Sequence, residues 1–137
     1  MDIRYPAILT PEDGGFLAQF VDLEEAFTEG DTLEDVLSNA SKVLSMTLNG
    51  RMDEGMDIPQ PTPKAVGAYL VAPDAKTQAA MLIRQARKGR SMADVARTMG
   101  TSWPAAKRLE DPHHCPSLKQ LEKAAAIFGK KLVISFE

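Results

Sequence analysis

With 137 residues, 44% apolar and 26% charged, the chain has the composition of a folded globular protein, either one domain or two small ones, and lies outside the disordered class. No apolar run approaches the roughly 20 residues a membrane-spanning helix requires. The N-terminus has no signal-peptide pattern and Cys115 is the single cysteine, so no internal disulfide forms and the expected residence is cytoplasmic.

Ile3 to Thr10 reads as a strand, Pro11-Glu12-Asp13-Gly14-Gly15 carries hairpin-turn chemistry, and Phe16 to Val21 is the returning strand. Ala26-Phe27-Thr28 reads as a third, short strand ended by Glu29-Gly30. Asp31 or Thr32 can then cap a helix, with Glu34 or Asp35 completing a capping box. Apolar side chains recur through it at Leu33, Val36, Leu37, Ala40, Val43, Leu44 and Leu48, the stripe of a helix packed on a sheet. The stretch Asp53 to Lys64 holds Gly55, Pro59, Pro61 and Pro63 and invites a linker assignment. Val66 to Val71, however, is β-prone, and a three-stranded sheet with one helix is better completed by a fourth strand. The proline-rich segment is then a loop within a first domain of residues 1–72.

From residue 73 to 137 the periodicity is helical. Ala79, Ala80, Ile83 and Ala86 line one face of a helix ending near Gly89. Ser91 caps a second, with Asp94 at its third position and Gly100 closing it. A third starts at Ser102 and tolerates Pro104 in its first turn. Ser117 and Gln120 form a capping box for a fourth, with Leu118, Leu121, Ala125 and Phe128 on one face and Gly129 at its end. Leu132 to Phe136 reads as a closing strand.

Ser91 to Glu110 has the pattern of a helix-turn-helix: Ala96 is small where helices cross, Gly100 permits the tight turn, and Val95, Met99, Ala106 and Leu109 are apolar where contacts are buried. Ser91, Thr101, Ser102, Trp103, Ala105, Lys107 and Arg108 are left as the candidate DNA-binding residues. Lys107 and Arg108 suit phosphates or guanine edges equally, and Trp103 either contacts DNA or braces its own helix. Arg84, Arg87, Lys88 and Arg90 form a basic cluster best read as solvated surface. Charge distribution supports the assignment. The net charge of −3 joins a segment 1–72 with 4 Lys or Arg against 13 Asp or Glu to a segment 73–137 with 12 against 6, and only the second attracts a phosphate backbone.

His113, His114 and Cys115 are adjacent in one loop and cannot easily converge on a metal, and no phosphate loop or nucleophile motif is present. No cofactor, metal or catalytic residue is therefore expected. A two-metal nuclease would need strand carboxylates; Asp22, Glu24, Glu25, Glu29 and Asp31 lie instead beyond the second strand or at a helix start, and Ile3 to Thr10 has none. A stand-alone transcriptional regulator is the nearer alternative.

Tyr5-Pro6-Ala7-Ile8-Leu9, Asp13-Gly14-Gly15-Phe16, Phe20-Val21-Asp22-Leu23 and Thr28-Glu29-Gly30-Asp31-Thr32, followed by Asp94-Val95-Ala96-Arg97 with Gly100 and by Leu121 to Gly129, together resemble the HicB family of antitoxins from bacterial type II toxin-antitoxin pairs, in the version with a helix-turn-helix tail. The resemblance implies an α+β fold: a β-β-β-α-β domain, a partial ribonuclease H-like fold without its active site, followed by an all-α helix-turn-helix domain. It further implies that the first domain covers a small basic mRNA-cleaving toxin, HicA, for which Asp22, Glu24, Glu25, Glu29 and Asp31 are the candidate contacts, and that the second represses transcription at operator DNA. One departure is that many members have Pro-Gly-Cys where this chain has Glu24-Glu25-Ala26-Phe27. Two half-sites call for a homodimer or a higher even-numbered oligomer. Pairing of the final strand with its symmetry mate is the expected contact.

Overall fold

The computed structural model describes residues 3–137. Asp13 and Gly14 both have positive φ, 44° and 82°, the backbone of a two-residue type I′ turn, whose twist matches that of the strands it joins. Around it β1 (Tyr5–Glu12) pairs antiparallel with β2 (Gly15–Phe20), from Glu12 opposite Gly15 to Ala7 opposite Phe20. The strand thus continues through Pro11, which turn chemistry assigns to the hairpin loop. Counting from the tight turn, Pro11 opposite Phe16 is a non-hydrogen-bonded pair, so its missing N–H interrupts nothing on that side. On the other side the partner strand reaches only to Ala7.

β3 (Phe27–Gly30) pairs antiparallel with β2, and β4 (Tyr69–Val71) returns to pair antiparallel with β1, giving the order β3-β2-β1-β4. β4 is shorter than the expected 66–71 run, and Val66 is exposed. Helix α1 (Leu33–Asp53) starts at Thr32, whose side chain accepts from the Asp35 N–H at 3.1 Å. Its buried stripe is Val36, Ala40, Leu44, Leu48 and Met52, an i, i+4 row, with Ser45 beside it. Leu33, assigned to that stripe by periodicity, is exposed: it stands in the first turn, ahead of Val36, where the buried row begins. Gly30 allows β3 to pass close to this turn, since a Cβ there would lie 2.5 Å from the Val36 nitrogen. The core is completed by Tyr5, Ala7, Ala18, Phe20, Leu23 and Val71. Residues 56–68, rich in proline, form no helix or strand; they are tied down where the Tyr5 hydroxyl donates to the Pro59 carbonyl at 2.7 Å.

Two compact units divide between Gln78 and Ala79, inside α2 (Ala75–Arg87). The start of α2 belongs with the sheet: the Asp74 N–H donates to Ser45 Oγ at 2.8 Å and Thr77 Oγ1 to Asn49 Oδ1 at 2.9 Å. The helical unit holds the rest of α2, then α3 (Met92–Met99), α4 (Trp103–Arg108) and α5 (Leu118–Ile127). Its core gathers Ile83, Val95, Ala96, Met99, Ala106, Leu109 and Ala124, flanked by Met92, Leu121, Ile127 and Phe128. The capping box at Ser117 and Gln120 is complete. The buried face of α5 is nevertheless shifted from the expected one: Ala124 is its buried centre, with Leu121, Ile127 and Phe128 packed against the same core, while Leu118 is exposed.

The expected closing strand Leu132–Phe136 does not form within the chain. A strand requires a hydrogen-bonding neighbour, the four-stranded sheet does not include this segment, and Val133, Ile134 and Phe136 are exposed. The result is an α+β chain with a four-stranded antiparallel sheet and five helices among the described residues.

Candidate functional sites

In the helical unit, three serines set the helix starts. Ser91 Oγ accepts from the Asp94 N–H at 3.1 Å, Ser102 Oγ from Ala105 at 3.3 Å and Ser117 Oγ from Gln120 at 3.1 Å. Between α3 and α4 the chain reverses at Gly100, left-handed at φ 68°, with the Thr101 N–H returning to the Ala96 carbonyl at 3.0 Å. That geometry fixes which side of α4 is buried. Ala106 and Leu109 face the core, whereas Thr101, Ser102, Trp103, Lys107 and Arg108 are exposed and Ala105 is half-buried at the same edge. Ser91 is also exposed, at the head of α3. Trp103 is 47% exposed, and the Lys107 ammonium lies 5.0 Å from its ring centroid, within cation–π range. Chemically, this edge offers two cations, two hydroxyls and an aromatic surface.

The basic cluster around Gly89 divides in a way its composition did not reveal. Arg87 donates from Nε and Nη2 to the two carboxylate oxygens of Glu110, the second at 3.0 Å, and from Nη1 to the Arg90 carbonyl at 2.9 Å. Glu110 is only 6% exposed. Arg90 reaches Asp94 at 2.8 Å, Thr98 Oγ1 at 3.0 Å and the Ile127 carbonyl at 3.0 Å, and stands over the Phe128 ring at 5.5 Å. These two arginines are internal struts joining α2 to α3, α4 and α5, not solvated surface. The hydrogen bond from Arg90 is also the main reason the Asp94 carboxyl is held below the usual carboxylate range, with Arg97 adding to it at 2.6 Å. Arg84 is half-buried and Lys88 exposed.

The acidic candidates of the sheet unit are equally unequal. Asp22 accepts from the Thr62 backbone N–H at 2.9 Å and from its hydroxyl, clasping the proline-rich loop. Glu25 forms a two-pronged pair with Arg51 of α1, both contacts at 2.8 Å, which depresses the Glu25 carboxyl and raises Arg51. Glu24, Glu29 and Asp31 are exposed. Glu29 and Asp31 line a cleft of about 500 Å³ beside the hairpin, together with Glu12, Asp13, Asp35 and Lys42.

The family model described as HicB_like antitoxin of bacterial toxin-antitoxin system matches residues 4–79, more than half the chain and nearly all of the sheet unit. The chain belongs to this family. Similar curated proteins include Antitoxin HicB 1 of Photorhabdus laumondii, 28% identical over 137 residues (99% of this chain, 88% of the relative), and Antitoxin HicB of Escherichia coli K12, 27% identical over 133 residues (95% and 96%). An uncharacterized 14.9 kDa protein of Haemophilus phage HP1 is 25% identical over 72 residues, about half of each chain. The two antitoxins are named as such and not as enzymes, and they align along the helical unit as well as the HicB-like one. No helix among the described residues is long and apolar enough to cross a membrane.

Within the HicB-like unit, sequence reasoning missed Glu12, Asp13 and Asp35 as neighbours of Glu29 and Asp31. The hairpin sets Glu12 and Asp13 beside the first turn of α1. Only the strand register, fixed by Asp13-Gly14, could have brought them together on paper.

Proposed function

We propose that the chain is an antitoxin with two binding surfaces: the HicB-like unit, placed by sequence at residues 1–72, neutralises a HicA-type mRNA-cleaving toxin, and the helical unit, placed at 73–137, acts as a helix-turn-helix that binds operator DNA and represses its own operon. The carrying observation is the exposed edge of α4. Trp103, Lys107 and Arg108 stand outward behind a left-handed glycine turn while Ala106 and Leu109 are buried, as groove docking requires. The strand order, with β4 returning beside β1 after α1, supports a partial ribonuclease H-like reading of the HicB-like unit. Its acidity suits a cationic, RNA-binding partner. The exposed carboxylates of Glu24, Glu29 and Asp31 are the favoured toxin contacts of the five; Asp22 and Glu25 are occupied in holding the proline-rich loop and α1 in place. The reading calls for no cofactor.

Operator binding by Lys107→Ala and Arg108→Ala variants, measured against salt, tests the DNA assignment. Each substitution is expected to weaken binding by at least about 1 kcal/mol, and removing a cation that grips a phosphate also lowers the salt slope by about 1. Affinity unchanged at moderate salt would place the recognition face elsewhere. The apolar tail, Leu132 to Phe136, is the proposed homodimer contact, each copy supplying the strand neighbour the other lacks. A chain truncated after Gly129 that remains dimeric would remove that role.

A further inference from the structure

The sheet of the HicB-like unit is apolar on both faces, although only one of them has a helix. Register assigns each strand residue to a face. Tyr5 opposite Val71, Ala7 opposite Phe20, and Ala18 opposite Thr28 lie on the α1 side, as do Phe16 and Gly30, the latter nearly touching Val36. The other face therefore carries Leu70 and Pro6 across β4 and β1, then Ile8 opposite Gln19, Thr10 opposite Leu17, Phe27 opposite Gln19 and Glu29 opposite Leu17. Phe27 is 57% and Leu70 60% exposed, Ile8 is also exposed, and Leu17 is half-buried, whereas Pro6 is buried among its neighbours. An antiparallel sheet with one solvated face normally turns polar residues to water; here each of the four strands places a large apolar side chain on that face, Phe27, Leu17, Ile8 and Leu70. Exposed apolar side chains gathered on one face mark a contact site for another macromolecule.

Charge identifies the occupant. The strand residues on this face include no Lys or Arg, and the ionic residues among them are Glu12 and Glu29 at the hairpin end, which also border the cleft beside the first turn of α1. We propose that this open face is the seat of the toxin: a small basic protein covers Ile8, Leu17, Phe27 and Leu70 with an apolar patch and sets cationic side chains against Glu12 and Glu29. The proposal rests on the antitoxin reading and deepens it, because it assigns toxin contact to the sheet face opposite α1. Gln19, opposite Ile8 and Phe27 on this face, is the polar exception. Its amide donates to the carbonyls of Phe20, Leu23, Glu24 and Ala26 at 3.1 to 3.3 Å, so it holds the loop at the end of β2 and leaves the apolar neighbours free to make contact.

The test titrates the full chain against purified, catalytically inactivated HicA-type toxin by calorimetry. Phe27→Lys and Leu70→Lys replace exposed side chains, so the fold should be kept, and an unchanged circular dichroism spectrum and thermal midpoint verify that. Each is expected to weaken binding roughly thirtyfold or more, the scale of an interface hot spot. Glu12→Gln and Glu29→Gln should mainly slow association and reduce its salt dependence. Met46→Lys, at an exposed position of α1, should bind like the wild type. Wild-type chain that fails to bind the toxin overturns the antitoxin reading and this proposal with it. Wild-type binding that survives Phe27→Lys, or is lost in Met46→Lys alone, overturns only the face. A toxin-free chain whose mass in solution falls on Phe27→Lys substitution would show a second copy seated there, and would equally overturn it.

Discussion

The sheet unit buries Tyr5, Phe20, Leu23, Val36, Leu44 and Leu48 almost completely and turns most of its carboxylates outward, whereas the helical unit centres on Ala96, Ala106 and Ala124 beside a few larger side chains and draws Arg87, Arg90, Glu110 and Asp94 into its own framework. Short helices crossing at alanines bury little apolar area, so charged struts supply part of the cohesion. Net charge is consequently a poor guide to the site. Two of the cations that make the helical unit basic are held by internal carboxylates, and the cations left outward on α4 are Lys107 and Arg108.

If the sheet unit depends on packing, truncating its core has the largest effect. Leu44→Ala, at a fully buried position, is expected to cost about 3 kcal/mol. The aromatic residues allow the two units to be followed separately, because Tyr5 and Tyr69 lie in the sheet unit and Trp103 is the single tryptophan, in the helical one. Denaturant unfolding should show the loss in the tyrosine signal. An equal loss at Trp103 would erase the distinction between the units.

The complementary change is Glu110→Ala, which removes the carboxylate that Arg87 grips. Breaking a buried pair costs about 3–5 kcal/mol. Arg87 is 30% exposed, so water recovers part of this and about 2 kcal/mol is expected, read by Trp103 fluorescence. Glu110→Gln, which can still accept from the guanidinium, should lose less. If Glu110→Ala is neutral, the struts are ornamental and the alanine-rich core suffices by itself.

What is legible in the sequence follows the same line. Local chemistry is readable: Asp13-Gly14 dictates the hairpin, Thr32, Ser91, Ser102 and Ser117 start their helices, and Gly100 ends α3, because each of these acts within a few residues. The exposed edge of α4 is readable for the same reason. Arg90 with Asp94 has a visible i, i+4 spacing, yet its meaning is lost within a cluster of like charges. Arg87 with Glu110 spans 23 positions and Glu25 with Arg51 spans 26; no local rule pairs them. Proline opposes strands in general, which argues for Pro11 in the turn, whereas its tolerance here depends on which side of the ladder its nitrogen faces. The closing strand fails for a different reason: alternation shows that Leu132, Ile134 and Phe136 can share a face but supplies no neighbour for them to bond.

The smallest expected effect depends on pH and separates the units most finely. In the helical unit Arg90, with Arg97, holds the Asp94 carboxyl below its ordinary value; in the sheet unit Arg51 does the same for Glu25. A carboxyl depressed on folding adds stability above its unfolded value, near pH 4, and that contribution is lost as pH falls through the lower, folded value. Asp94→Asn removes the ionisable group and so should lower the Trp103-detected stability at pH 7 slightly while flattening its decline in acid. The tyrosine-detected decline should persist, because Glu25 is untouched, and Glu25→Gln should reverse the pattern. An Asp94→Asn chain whose Trp103 signal keeps the wild-type acid profile would mean that the Arg90 strut acts through Thr98, the Ile127 carbonyl and the Phe128 ring, with its carboxylate partner adding nothing.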